Sequence, residues 1–133
     1  MLPCGALPTA DSRILVFIVA YEAEKHVRSV LERVPQPLYN DPRVHFLLID
    51  DASSDTTSRL ASEWVRARDI SNVTVLRNPV NQGYGGNQKL GYRIGIDGGY
   101  DFIILLHGDG QYAPELLPAN VVLVMAQLAG QSR

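Results

Sequence analysis

Three residues with donor atoms stand at alternate positions late in the chain: His107, Asp109 and Gln111, separated by Gly108 and Gly110. An imidazole, a carboxylate and an amide so spaced, with glycines that permit a tight turn, could gather around a divalent cation. On their own they read equally well as a polar turn after a core strand. Asp50 and Asp51 stand side by side after a second apolar run, and burying a lone carboxylate is too costly for both to face the core uncompensated. One could brace the following turn, while the other accepts hydrogen bonds from a nucleobase N–H or from ribose hydroxyls. Tyr21, with Glu22 after a third apolar run, could lie beside the same base or pack over the strand end with its hydroxyl in water. Asn78 to Asn87 is rich in glycine and leads toward a helix. There Gly83, Gly85 and Gly86 could present backbone N–H groups, and the positive end of the helix dipole, to a phosphate. Their spacing fits neither G-x-G-x-x-G after a first strand nor G-x-x-x-x-G-K-[ST]. Lys89 could add a charge near that phosphate or simply face solvent, and His26 and His45 read as surface or packing histidines.

The elements that must position these residues follow from hydrophobic pattern. Arg13–Ala20 is a near-continuous β-branched and aromatic run that reads as a first buried strand, Val44–Ile49 is a second strand, and the five apolar residues Phe102–Leu106 read as a parallel strand buried on both faces. Val73–Leu76 is shorter and more alternating, which places it nearer an edge. Val27, Val30, Leu31 and Val34 recur at i, i+3, i+4 and i+7, giving a helix with Glu24, Lys25, Arg28 and Glu32 outward, stopped by Pro35 and Pro37. Ser54 or Asp55 can cap a second helix in which Leu60, Trp64 and Ala67 share a face. Gln88–Gly98 forms a third, whose glycines imply close packing or a weak end. Pro114 suits the first position of a fourth, which Pro118 kinks or restarts and which runs on through Val121–Leu128.

Strands and helices therefore alternate, and right-handed crossovers build an α/β fold: a three-layer α/β/α arrangement around an open, mostly parallel, Rossmann-like sheet. Every polar cluster named above follows the carboxyl end of an expected strand, the edge where open α/β sheets bind ligands. A nucleoside diphosphate at that rim would meet Asp50, Asp51 and Asp109. Each like-charge contact at about 4 Å costs on the order of 4 kcal/mol at an effective dielectric near 20, so a cation must intervene. Oxygen donors from Asp109 and Gln111 suit Mg²⁺ or Mn²⁺, and His107 tilts the choice toward Mn²⁺.

Composition narrows the class. One domain is expected from 133 residues, with residues 1–12 a disordered leader and 13–133 the folded unit. The single cysteine, Cys4, permits no intrachain disulfide, so a reducing cytoplasm is the default location. A net charge of −2 provides no basic footprint for nucleic acid. The leader has neither a basic start nor an apolar core of the kind a signal peptide needs, and no apolar run approaches membrane-spanning length.

Together these motifs resemble family 2 glycosyltransferases of the GT-A fold, most closely the polyprenyl- or dolichyl-phosphate sugar synthases. Val19-Ala-Tyr-Glu-Ala23 stands where that branch has a P-x-Y-N-E-like stretch, and Leu48-Ile-Asp-Asp-Ala-Ser-Ser-Asp-Thr56 resembles I-D-D-G-S-x-D-x-T. Asn81-Gln-Gly-Tyr-Gly-Gly86 matches N-x-G-x-G-G, and His107-Gly-Asp-Gly-Gln111 occupies the D-x-D-x-Q position. The likeness covers about Ile14 to Pro118. It implies a nucleotide-sugar donor, UDP- or GDP-linked, held by Ala20, Tyr21 and Asp51, with the diphosphate on a metal bound by Asp109 and Gln111. With the neighbouring cluster residues, the candidate donor-binding set is Ala20, Tyr21, Glu22, Asp50, Asp51, Gly83, Gly85, Gly86, Lys89 and Gly108. The candidate metal set is Asp109, Gln111 and His107, with Asp109 the catalytic residue. The family transfers the sugar with inversion. A polyprenyl-phosphate acceptor would be met at the inner face of the membrane. Two departures stand out: His107 replaces the usual first Asp, and Glu22-Ala23 replaces Asn-Glu. The family also continues beyond this motif into the part that holds the acceptor, so the chain is expected to be the donor-binding, nucleotide-binding half of a GT-A fold. The alternative to a catalytic domain is a non-catalytic nucleotide or nucleotide-sugar binding module, as a fragment, a truncated product or a degenerate paralogue.

Overall fold

The computed structural model describes residues 12–108. The leader up to residue 11, and everything expected of residues 109–133, including Asp109, Gln111 and the fourth helix, lie outside them. Among the described residues four strands form one parallel sheet: β1 (Ile14–Ala20), β2 (Val44–Asp50), β3 (Val73–Arg77) and β4 (Phe102–His107), in the order β3-β2-β1-β4. β1 is paired on both sides and buried along its whole length, as its unbroken apolar run requires. The chain steps outward from β1 to β2 and β3, then returns to the other side of β1. Right-handed crossovers put α1 (Val27–Arg33) and α2 (Thr57–Ala67) on one face and send α3 (Gly83–Asp97) to the other.

Alternate residues of β1 feed two cores. Ile14, Val16 and Ile18 pack with Val27, Leu31 and Trp64 beneath α1 and α2. Leu15, Phe17 and Val19 join Leu47 and Ile49 on the face that α3 crosses. Gly91 and Gly95 are the reason α3 can lie so close. A methyl group at Gly91 would fall 1.9 Å from the ring of Phe17, and one at Gly95 would fall 2.5 Å from Ile103, so the close-packing reading of these glycines holds.

Several expectations need correction. Gly83–Asn87 is not loop: α3 begins at Gly83, which supplies the positive φ of 77° at its start. β4 is not buried on both faces; Phe102, Ile104 and Leu106 are, while Ile103, Leu105 and His107 are half-buried, because this strand lies at the end of the described sheet. β3 is on the opposite end, as expected, although its residues are half-buried or exposed without strict alternation. α1 stops at Arg33, and Val34 is extended, since a residue preceding proline is driven out of the helical region. The buried face of α2 is Thr57, Ala61 and Trp64, with Ala67 exposed, and Thr56, whose side chain makes no capping bond, precedes its first turn. A short 3-10 turn at Gln36–Asn40, unforeseen, inserts Tyr39 against Phe46 and Trp64, where its hydroxyl donates to the Leu31 carbonyl at 2.6 Å.

Candidate functional site

The reversal of strand order at β1 opens a crevice between the carboxyl ends of β1 and β4, the place where doubly wound sheets bind ligands. The register sets its walls: Ala20 pairs with Asp50, and Val19 with His107. Two backbone bonds carry the ladder past the strand ends, Asp51 N–H to Ala20 at 2.9 Å and Gly108 N–H to Val19 at 2.8 Å. A cavity of about 300 Å³ sits there. Its walls are Val19, Ala20 and Tyr21 after β1, Asp51 after β2, Asn81, Gly83, Tyr84 and Asn87 around the start of α3, and His107 and Gly108 after β4.

The two aspartates divide the roles left open by the sequence. Asp50 is fully buried and faces away from the cavity lining. Its Oδ1 accepts from the Ser53 N–H at 3.1 Å and from the Ser53 hydroxyl, and its Oδ2, with no hydrogen-bond partner among the described residues, lies 4.0 Å from Arg77 Nε. It braces the turn. Asp51 lines the cavity and organises the approach to α3. Its Oδ1 accepts from Asn78 Nδ2 at 2.9 Å and from the Gln82 N–H at 2.7 Å, and its carbonyl accepts from Asn81 Nδ2 at 3.0 Å. Among the described residues its Oδ2 takes no hydrogen bond. Asn87, buried one turn into α3, donates to the Ile49 carbonyl at 3.2 Å and accepts from Asn78 at 3.1 Å, tying the helix to β2.

Glu22 belongs to a clasp between the β1–α1 and β2–α2 loops rather than to the cavity wall. At φ 50° it turns its carboxylate back to accept from Ser54 N–H and Oγ at 3.0 and 2.8 Å. Its own N–H donates to Ser53 Oγ at 2.8 Å, and Ala23 N–H donates to the buried Thr57 hydroxyl at 2.9 Å. Glu24, expected outward, is half-buried and accepts from Thr56 N–H at 3.1 Å. Asp55 closes the clasp by accepting from Thr57 N–H at 3.0 Å. Burial pushes the Asp55 carboxyl up, but the Thr57 hydroxyl and the N–H groups of Thr57 and Glu24 outweigh it, leaving the group below its usual range.

Of the residues proposed from sequence, the structure brings Ala20, Tyr21, Asp51, Gly83, His107 and Gly108 to one cavity. Asp50, Glu22, Gly85, Gly86 and Lys89 lie outside its lining, and Lys89 is an exposed residue of α3. The expected phosphate cradle is also partly spent, because the N–H groups of Gln82 and Gly83 already donate to Asp51 Oδ1 and Asn81 Oδ1. Sequence reasoning misses Asn81, Tyr84 and Asn87. They sit inside the glycine motif, where the glycines draw attention and an assignment of loop hides the helical spacing of Tyr84 and Asn87. Tyr84 Oη is 3.1 Å from His107 Nε2, and the two rings are nearly parallel, with centroids 5.5 Å apart. Among the described residues no group of three or more His, Cys, Asp or Glu is placed to hold a metal. The imidazole and carboxylate at this cavity are nonetheless donor types that Mn²⁺ or Mg²⁺ accepts.

A parallel sheet with helices on both faces and a cavity at its switch point defines the class: a doubly wound α/β domain. Comparison with known proteins is more specific. The glycosyl transferase family 2 profile matches residues 15–125, and the chain belongs to that family. It is 33% identical over 115 residues to the polyprenol monophosphomannose synthase of Mycolicibacterium smegmatis, covering 86% of this chain and 41% of that protein. It is likewise 33% identical over 106 residues to the undecaprenyl-phosphate mannosyltransferase of Micrococcus luteus, covering 80% and 42%. The chain thus spans about two-fifths of the length of these relatives. Among solved structures, the Pyrobaculum calidifontis mannosyltransferase PcManGT, in complex with GDP-Man and Mn²⁺, superposes with a TM-score of 0.69 at 16% identity over 94% of this chain and 36% of its own. The S. aureus TarS 1–349 complex with UDP-GlcNAc gives 0.62 at 17% identity over 84% and 30%. These likenesses establish a GT-A type fold.

Proposed function

We propose that this chain is the donor-binding half of an inverting glycosyltransferase that moves a sugar from a nucleoside-diphosphate sugar to a polyprenyl phosphate. Family membership and the activities named for the two mannosyl relatives support the reaction class. The observation that carries the donor assignment is Asp51: a buried carboxylate at the switch-point cavity, with one oxygen committed to the fold and the other taking no bond among the described residues. Uracil and guanine both offer a ring N–H to such an oxygen, in keeping with a UDP- or GDP-linked donor. Tyr21, more than half exposed beside Ala20 at the cavity wall, is placed to cover the base.

With the base at Asp51, the diphosphate runs toward β4 and the residues that follow it. Asp109 and Gln111 are the residues proposed to hold Mn²⁺ or Mg²⁺, which when bound offsets the like charges and stabilises the leaving diphosphate. The acceptor's phosphate oxygen forms its bond to the anomeric carbon from the face opposite the diphosphate. The old C–O bond breaks with its electron pair on the diphosphate, and the anomeric configuration inverts. No proton has to be taken from an acceptor that is already ionised, so a dedicated general base is not required.

Calorimetric titration with UDP- and GDP-sugars, with and without Mn²⁺, tests the donor site. Asp51→Asn should keep the fold, since Oδ1 can still accept, but weaken donor binding about tenfold or more, the effect of losing a charge-assisted hydrogen bond. Asp109→Ala should abolish the Mn²⁺-dependent part of the affinity. Heat-flat titrations of the wild-type chain with both nucleotides would remove the assignment. Transfer of labelled sugar to a polyprenyl phosphate tests the reaction itself.

A further inference from the structure

His107 stands where the family usually places the first acidic residue of its metal motif, yet its ring is already engaged from the neighbouring helix. Tyr84 Oη meets Nε2 at 3.1 Å, and the two rings stack at 22°. An imidazole nitrogen has one in-plane direction, which holds either a proton or a lone pair. Whichever partner donates in this bond, Tyr84 occupies that direction, and Nε2 is closed to a cation while the bond stands. Tyr84 is 55% exposed and lines the same cavity as Tyr21, so burial does not explain its place.

We propose that Tyr84 is a donor-positioning residue that acts through His107: it orients the imidazole as part of an aromatic, hydrogen-bonding wall of the nucleotide cavity and withholds its Nε2 from the metal. This rests on the donor-site reading above and takes Nε2 of His107 out of the metal set expected from the sequence.

The full chain tests this with four measurements: Mn²⁺ alone followed by electron paramagnetic resonance, UDP and GDP by calorimetry, the ring ¹⁵N shifts of His107, and thermal melting. Tyr84→Phe keeps the ring and removes only the hydroxyl. It should move the Nε2 resonance of His107, weaken the nucleotide that the wild type prefers about fivefold, as one lost neutral hydrogen bond does, leave melting unchanged, and not lower Mn²⁺ affinity, since Nε2 is released. His107→Ala should leave Mn²⁺ affinity within about twofold while weakening nucleotide binding further. A tenfold or greater loss of Mn²⁺ affinity in His107→Ala would make the imidazole a metal ligand and overturn the proposal. So would an unmoved Nε2 resonance, or unchanged nucleotide affinity, in Tyr84→Phe. A wild-type chain that binds neither nucleotide overturns the donor-site reading as well, which distinguishes that failure from one confined to the variants.

Discussion

At the scale of single residues, adjacency in sequence says little about role. Asp50 and Asp51 are neighbours, yet alternation along the strand end sends the first into the turn beneath α2 and the second to the cavity. That one of the pair would serve the fold is legible from the cost of burying two carboxylates; which one depends on strand phase. His45, a packing histidine as expected, shows a consequence of position. It is half-buried on β2 with a ring nitrogen 2.7 Å from Thr74 Oγ1 on β3. Burial, aided by the charge of Arg13, holds its pKa below the ordinary 6.5. The folded state therefore favours the neutral ring, and the unfolded chain takes up the proton first as pH falls. The stabilisation is full above about pH 6.5 and is lost below it. Urea midpoints measured between pH 7.5 and 5 should decline in the wild type and decline less steeply in His45→Gln; equal slopes would remove His45 as the source.

At the scale of elements, α3 is where pattern reading is weakest. Five glycines within Gly83–Asp97 lower helix propensity and make its first turn read as loop. Tertiary contact reverses that judgement, because Gly91 and Gly95 let the helix axis approach β1 and β4 more closely than any side chain would allow. The same residue type should thus respond oppositely at two positions. A methyl group added at Gly85 would meet nothing within 4 Å, so Gly85→Ala should stabilise the protein by about 0.5–1 kcal/mol through propensity alone. Gly91→Ala gains a similar amount but drives a methyl into the fully buried Phe17. Overpacking of about 1–3 kcal/mol wins, and chemical denaturation should show net destabilisation. The clasp between the β1–α1 and β2–α2 loops belongs to this scale too. Its members, Glu22, Ser53, Ser54 and Thr57, look in sequence like ordinary turn and capping residues, and only the parallel pairing of β1 with β2 brings the two loops within bonding distance.

At the scale of the molecule, the order β3-β2-β1-β4 concentrates burial on β1 and sets the cavity at its carboxyl end. Amide exchange of the full chain should be slowest along Leu15–Val19 and at least about tenfold faster along β3, whose residues are half-buried or exposed at the end of the described sheet. Uniform protection across the two strands would contradict this gradient. Among the described residues no helix is long and apolar enough to cross a membrane. Hydrophobic period, breaker residues and the polar groups after each strand are enough to read a parallel α/β sheet with its chemistry along one edge, because these are local properties of the chain. The sequence motifs carry the family likeness as well. Distances between strand ends are not local. That Asp51, Tyr84 and His107 face one cavity, while Asp50 and Glu22 hold neighbouring loops together, follows from strand order, register and the glycine-permitted approach of α3, and these exist only once distant segments have packed.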